Sequence, residues 1–282
     1  MIEFIQTHAE AIQNYHQPAI PWAFRQDGLL KLNVQYAQDR GALEGIDLAP
    51  MTRHDVVNYY NQDLYRGFMA TMLSQLAGGM VVSVEIFLLT LLFSLPLGLI
   101  VAFGRMSKNG IIKGIVKIYI AIMRGTPLML QLIVVYFAPF YVFGIKISQT
   151  YRFVAVIIAF SINYAAYFAE IYRAGIESIP IGQYEAAKVL GYSKVQTFFK
   201  IIFPQVIKRI LPPVTNETIT LVKDTSLAFV IAVAEMFTIA KQIAAKQASV
   251  SALMVAGLFY FVFNYVVAFA MEAIEKKLSY YR

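Results

Sequence analysis

The stretch 80–103, MVVSVEIFLLTLLFSLPLGLIVAF, contains one charged residue and is long enough to cross a lipid bilayer as a single helix. Four later apolar stretches, at 126–144, 152–175, 210–233 and 250–271, have a similar length. Because 59% of the chain is hydrophobic and only 15% is charged, an ordinary soluble domain is excluded. The sequence therefore predicts an all-α integral membrane protein with five transmembrane helices.

The N-terminal part of the chain has a different character. Residues 1–79 carry eight acidic and five basic residues and contain no apolar run of spanning length. Met1–Glu10 also lacks the basic and apolar regions of a signal peptide. We therefore expect residues 1–77 to form a polar extension, and an amphipathic pattern at 56–73 predicts an interfacial helix before the first span.

Side chains that often carry chemistry are scarce. The chain has no cysteine, which excludes disulfides and thiolate metal sites, and its three histidines are scattered through the N-terminal part without metal-ligand spacing. No GxxxxGK[ST] motif for nucleotide phosphates occurs. We therefore expect no metal and no cofactor bound by this chain, and no enzymatic activity of its own.

Basic residues are distributed unevenly among the segments that join the predicted spans. Fourteen lie between the first and second spans, between the third and fourth spans, and after the fifth, whereas four lie in the other two loops. Loops rich in lysine and arginine stay in the cytoplasm. The sequence thus predicts an extracytoplasmic N-terminal extension and a cytoplasmic tail at 276–282, and an interfacial helix in the first basic loop. The net charge of +7 reflects this asymmetry rather than nucleic-acid binding.

One basic loop contains a distinctive segment. Residues 185–205, EAAKVLGYSKVQTFFKIIFPQ, predict a short helix, a turn at Gly191 and a second helical piece. The small Ala186–Ala187 pair beside Glu185 predicts a face that another surface can approach closely. A loop helix can also simply pack under its own bundle, so the pattern alone leaves both interpretations open.

This segment resembles the EAA loop of binding-protein-dependent ABC importer permeases, with Phe203 at a position where that family usually has leucine. Three further segments, MRGTPLMLQ (123–131), AEIYRAGIESIPIGQYEAA (169–187) and LVKDTSLAFVIAVAEM (221–236), are similar to the polar amino acid branch, the histidine-, glutamine- and cystine-type permeases. The resemblance covers roughly 78–275 and leaves the N-terminal extension outside it.

The resemblance implies a type I ABC importer permease fold in the bacterial inner membrane, with a five-helix domain at 78–275 and a cytoplasmic coupling loop at 176–205. Two permease subunits, identical or homologous, would form the pore, above two ATPase subunits that hold ATP and Mg and below an extracellular solute-binding protein. Contact with the ATPase is then expected from Gln183, Tyr184, Glu185, Ala186, Ala187 and Gly191.

Polar side chains within the spans are costly and are candidates for the substrate path. At 1.5 Å per residue, a fourth helix that enters the membrane near Ile210 places Glu217 about 10 Å deep and Asp224 about 20 Å deep. Their carboxylates suit the ammonium group of an amino acid and Lys223 suits its carboxylate, although pairing within the bundle explains the same residues. The path candidates are Asn163, Tyr164, Asn216, Glu217, Thr220, Lys223, Asp224, Thr126 and Gln131.

Glu170 lies near the end of the third span, with Arg173 at i+3, and we interpret the two as a gate or a structural pair. Three other functions compete with an amino acid importer. An importer permease for another solute shares the EAA loop, a secondary transporter or channel also carries intramembrane charges, and an integral-membrane enzyme would need catalytic groups that this chain lacks.

Overall fold

The computed structural model describes residues 53–146, 148–247 and 249–278, and within these ranges every regular element is helical. Predictions for residues 1–52 and for the end of the tail at 279–282 lie outside the described residues. The helices are α1 (Arg53–Arg105), α2 (Gly110–Gly125), α3 (Leu128–Phe143), α4 (Gln149–Glu177), α5 (Ile181–Val189), α6 (Lys194–Thr197), α7 (Phe203–Asp224), α8 (Met236–Gln247) and α9 (Ser251–Leu278).

Two shorter irregular segments flank α7. A π-helical turn at Phe198–Ile202 leads into it, and a 3-10 helix at Thr225–Ile231 follows it. After that 3-10 helix, Ala232 has a positive φ of 56° and ends the helical run before α8 begins.

Three described stretches are long and apolar enough to cross a membrane, namely Met69–Arg105, Thr150–Glu177 and Ser251–Leu278. The count among the described residues rises to five if each of two bent helix pairs is one span: α2 with α3, bent by 112°, and the run Lys194–Ile231 with α8. The five predicted spans fall on these five stretches. The number of crossings itself stays a prediction.

The helix that forms the first span is longer than the predicted span 80–103. Helix α1 is continuous from Arg53, so the segment 56–73 is the beginning of the same helix that forms the first span. The Gly78–Gly79 pair does not interrupt it, because a glycine weakens a helix by only about 1 kcal/mol and cooperative neighbours outweigh that cost.

The described residues divide into two compact units, one that contains those up to Gly78 with Ile239–Ala256 and another that contains Gly79–Thr238 with those from Gly257 onward. In the first unit, Met72 and Leu76 are buried. The second unit contains every path and coupling candidate.

Helix α4 is the centre of the second unit. Its aromatic residues Phe160, Tyr164 and Phe168 are almost completely buried in the hydrophobic core. Two glycines allow close approach to its neighbours: a Cβ at Gly98 of α1 would lie 2.8 Å from the Cβ of Phe168, and one at Gly175 of α4 would clash with Ile210 of α7. The first contact packs α1 against α4 and the second packs α7 against α4, and α7 carries most of the path candidates.

The break between α2 and α3 corrects one sequence expectation. Thr126 and Pro127 predict an N-cap and a first-turn proline, but Pro127 itself occupies the N-cap position and Thr126 terminates α2. The reason is that a residue before proline is forced towards an extended conformation, and Thr126 has φ −121° and ψ 148°. Its hydroxyl donates back to the carbonyl of Ile122 instead of capping α3.

A buried carboxylate, Glu235, stabilises the start of α8. The backbone N–H groups of Phe237 and Thr238 donate to it at 2.7 and 2.6 Å, the Thr238 hydroxyl at 2.8 Å and the Tyr260 hydroxyl of α9 at 2.9 Å. The Ser83 hydroxyl of α1 lies farther away, at 3.5 Å. Glu235 therefore caps a helix N-terminus and connects parts of three helices of the second unit.

Candidate functional site

Helix α7 presents a polar stripe that its own unit leaves uncovered. Its buried side consists of Val206, Thr218, Leu221 and Val222, which pack inward. From Arg209 onward, its exposed residues recur at spacings of three and four and therefore lie on one face. They are Arg209, Pro212, Asn216, Thr220 and Lys223. Such a stripe cannot face lipid without a large cost, so it must face water or another polypeptide.

The two acidic candidates of α7 flank this stripe and are half-buried. Glu217 lines a cleft of ≈ 550 Å³ between α4 and α7, a volume typical of small-molecule sites. No hydrogen bond from the described part of the chain reaches its carboxylate. Glu217 is thus an acid in an open space whose hydrogen-bonding capacity is unused.

The same cleft contains charges of both signs. Arg124, Arg173 and Arg209 line it together with Glu170 and Glu217. The Arg124 guanidinium lies 5.3 Å from the centre of the Tyr167 ring, which also lines the cleft, in a cation–π contact. A zwitterion with one ammonium and one carboxylate group finds complementary charges there.

Asp224 is more constrained than Glu217. Its carboxylate accepts a hydrogen bond of 2.7 Å from the hydroxyl of Tyr164. Tyr164 belongs to α4 and is almost completely buried. Lys223 is exposed while Asp224 is half-buried, as the helical geometry predicts for adjacent residues. The Asp224 carboxylate therefore has a partner on α4.

Three other path candidates form one network at the bend between α2 and α3. The Gln131 amide donates to the Thr126 hydroxyl at 2.8 Å and to the carbonyls of Met123 and Thr126. The Asn163 amide donates to the Met123 carbonyl at 3.0 Å and to the Gln131 side-chain oxygen at 2.9 Å. The two amides donate to backbone carbonyls that have no helical partner at the bend. They therefore stabilise the bend between α2 and α3.

Glu170 and Arg173 lie in contact at the end of α4. The Arg173 guanidinium pairs with Glu170 at 2.7 Å and also with Glu177, while Arg105 of α1 approaches Glu170 at 3.5 Å. The network joins the ends of α1 and α4. Its role as a gate stays a prediction.

The segment between α4 and α7 is compact and capped. Gly191 follows α5 with φ +77°, the N–H of Tyr192 donates to the Ala187 carbonyl and the N–H of Gly191 to that of Lys188. These bonds form a Schellman motif, which requires a residue that tolerates positive φ. Ser193 and Gln196 then form a capping box that starts α6.

The coupling candidates are unequally accessible. Gln183, Tyr184, Glu185, Ala186 and Gly191 are exposed, but Ala187 is completely buried. The expectation that both alanines form one approachable face is wrong for Ala187, because adjacent helical residues point about 100° apart. Around the exposed candidates lies an apolar surface, the coupling patch: Ile181, Val189, Leu190, Val195 and Phe199.

Sequence reasoning missed several residues of this region. Arg124 and Arg209 count only as loop charges in the sequence, and Tyr167 lies four residues after Asn163 on the same face of α4. Glu235 lies in a segment that resembles the amino acid permeases, and the sequence alone assigns it no role. Its position three residues before Thr238, at the start of a helix, was the available signal.

Comparisons with known proteins agree with this architecture. Residues 94–280 match the family described as the binding-protein-dependent transport system inner membrane component. The chain is 35% identical to the L-cystine transport system permease protein TcyB of Bacillus subtilis over 73% of this chain and 87% of that protein. It is 36% identical to the arginine transport system permease protein ArtQ of the same organism, over 71% and 91%.

Solved structures give the same result. An amino acid ABC transporter with histidines superposes with a TM-score of 0.68 and 31% identity, over 74% of this chain and 96% of that one. The inward-facing methionine transporter MetNI, at 18% identity and a TM-score of 0.57, shows the shared fold alone. Family members work with ATPase subunits and a solute-binding protein. The chain therefore belongs to the binding-protein-dependent inner membrane transport family and is a permease subunit of an ABC importer.

Proposed function

We propose that this permease imports an amino acid and that the polar stripe of α7, with Glu217 and Asp224 beside it, lines the translocation path. The observation that carries this proposal is the cleft of ≈ 550 Å³, where three arginines and two glutamates provide partners for both charged groups of an amino acid. Relatives named for cystine and arginine transport support the same class of substrate. Importers of neutral sugars would have no use for such paired charges.

The assembly follows from what α7 leaves exposed. A second permease subunit, identical or homologous, faces the stripe across the path, because the stripe is polar and its own unit leaves it exposed. Five spans with the coupling loop at 176–205 in the cytoplasm then place the N-terminal extension outside, in the bacterial inner membrane. The distribution of basic residues supports this orientation.

Uptake by the purified chain, reconstituted with its ATPase subunits and its solute-binding protein, tests the proposal. We expect ATP-dependent accumulation of amino acids that is unaffected by excess sugars or dipeptides. Accumulation of a sugar in place of amino acids would overturn the assignment of substrate, while leaving the family unaffected.

Orientation has its own test because the chain has no cysteine. A cysteine placed at Ser107 should resist an impermeant thiol reagent in intact cells, whereas one at Lys146 should react. The opposite pattern would reverse the proposed topology.

The coupling loop transmits the ATPase cycle through α5 and the coupling patch. Gly191→Leu should disturb the turn, since a leucine at φ +77° costs about 1–2 kcal/mol, and should uncouple ATP hydrolysis from uptake. Gly191→Asn should retain coupling, because asparagine tolerates this conformation. Glu185→Lys should weaken recovery of the ATPase with the permease. Wild-type coupling in Gly191→Leu and Glu185→Lys would mean that the loop only packs against its own bundle.

A further inference from the structure

Helix α2 has three distinct faces. Its buried face, with Val116 and Ile120, packs against the rest of the second unit. A second face is apolar and exposed, and a third is basic. The exposed apolar face consists of Ile111, Ile115, Ile118 and Ile122, each at least half exposed.

The basic face borders a cleft of ≈ 630 Å³. Four basic side chains line this basic cleft: Arg105, Lys113, Lys117 and Arg173. Glu177 is an acidic side chain of its lining, and Arg173 already pairs with it. Lys113 and Lys117 have no acidic partner within the described part of the chain, so the cleft carries positive charge that no described side chain balances.

Small residues separate the basic row from the isoleucine row. Gly114 lies between them on the helix surface and lines the basic cleft, as does Gly110. A Cβ built at Gly114 would meet no other atom within 4 Å. The surface therefore offers a charged pocket, a shallow strip and an apolar face in direct succession.

The cleft also lies at a defined depth. Arg105 is the last residue of α1 and Glu177 is the last residue of α4, so the cleft lies where two spans end. Spans end at the level of the lipid headgroups. With the spans placed in this way, the isoleucines of α2 are expected beside the cleft at the level where acyl chains begin.

We propose that this basic cleft binds the phosphate headgroup of an anionic phospholipid, whose acyl chains lie along the isoleucine face of α2. Charge complementarity selects an anionic lipid over a zwitterionic one, because Lys113 and Lys117 are not neutralised by protein. The site shares the Arg173 side chain with the cleft beside α7, is otherwise lined by different residues, and is not required by the proposed function.

Native mass spectrometry of the purified transporter complex, with phosphatidylglycerol, phosphatidylcholine or glycerol 3-phosphate added, tests this site. We expect preferential retention of phosphatidylglycerol, and a loss of roughly tenfold or more in its affinity in Lys113→Gln/Lys117→Gln. The control Lys146→Gln/Lys277→Gln removes the same charge outside the cleft and should retain the lipid.

Gly114→Leu is a second variant that changes no charge and adds bulk to the strip at a position where a Cβ meets no neighbouring atom within 4 Å. It should also lose phosphatidylglycerol without any fall in the melting temperature. Equal retention of both lipids would overturn the proposal, as would wild-type retention in the cleft variants. Equally tight binding of glycerol 3-phosphate would identify a soluble phosphate compound as the ligand instead, and loss of the ATPase with lipid retention unchanged would identify the cleft as a protein contact.

Discussion

Glu235 and Glu217 lie 18 residues apart in the same stretch of chain, and their surroundings differ completely. Glu235 is fully buried and receives four hydrogen bonds of 2.6–2.9 Å. Glu217 is half-buried, lines a cleft and receives none from the described residues. Both carboxylates are costly in a low-dielectric setting, but only that of Glu235 is compensated by the protein. The comparison separates an acid that holds the fold from one that is available to a ligand.

The largest effect is expected from Glu235→Gln. The amide nitrogen of glutamine cannot accept hydrogen bonds from the N–H and O–H groups that surround this position. Losing two charge-assisted hydrogen bonds should lower the free energy of unfolding by about 3–6 kcal/mol. The melting temperature and the yield of solubilised protein should fall sharply, while uptake per folded molecule should persist. Glu272→Gln, on the exposed surface of α9, is the matched control and should behave as wild type. Lost uptake at unchanged stability would place Glu235 in the path.

Glu217→Gln should show the opposite behaviour. Removing this charge at nearly constant volume should lower amino acid uptake by roughly tenfold to a hundredfold, the worth of a charge-assisted hydrogen bond to the substrate. The melting temperature should not change, because no described donor depends on the carboxylate. A fall in stability that matches the fall in uptake would make Glu217 a structural acid like Glu235.

The Asp224 carboxylate receives one hydrogen bond, so its environment is intermediate between those of Glu235 and Glu217. The free-energy effect expected from this hydrogen bond is the smallest of the three. A double-mutant cycle with Asp224→Asn and Tyr164→Phe should give an interaction free energy of about 1 kcal/mol in thermal unfolding, because the asparagine oxygen still accepts a neutral hydrogen bond. Uptake should fall in Asp224→Asn by more than in Tyr164→Phe if the carboxylate also contacts substrate. Equal losses of uptake in the two variants would restrict Asp224 to its structural bond.

The sequence predicted the apolar stretches well, because a bilayer imposes length and hydrophobicity on every span. It also located Gly191, whose turn is a local requirement. The Glu235 network could not be predicted, since Ser83 is 152 residues away and Tyr260 is 25 residues away in the chain. Only packing brings such partners together.

The N-cap expected at Thr126 was wrong, and the path roles of Asn163 and Gln131 stay predictions, in both cases for local reasons. Threonine is a common N-cap residue, but Pro127 forces the backbone of Thr126 into an extended conformation. Asn163 and Gln131 are polar residues inside the membrane, and hydropathy alone cannot distinguish amides that face a path from amides that satisfy a bent backbone. The distinction depends on carbonyls such as that of Met123, which sequence patterns do not reveal.

The coupling patch has a consequence for how cells make this protein. In the proposed orientation, Ile181, Val189, Leu190, Val195 and Phe199 project into the cytoplasm until an ATPase covers them. A permease synthesised in excess of its ATPase would expose this surface to chaperones and proteases. We therefore expect orphan copies to be degraded, so that the cellular level of the permease follows the supply of its ATPase partner.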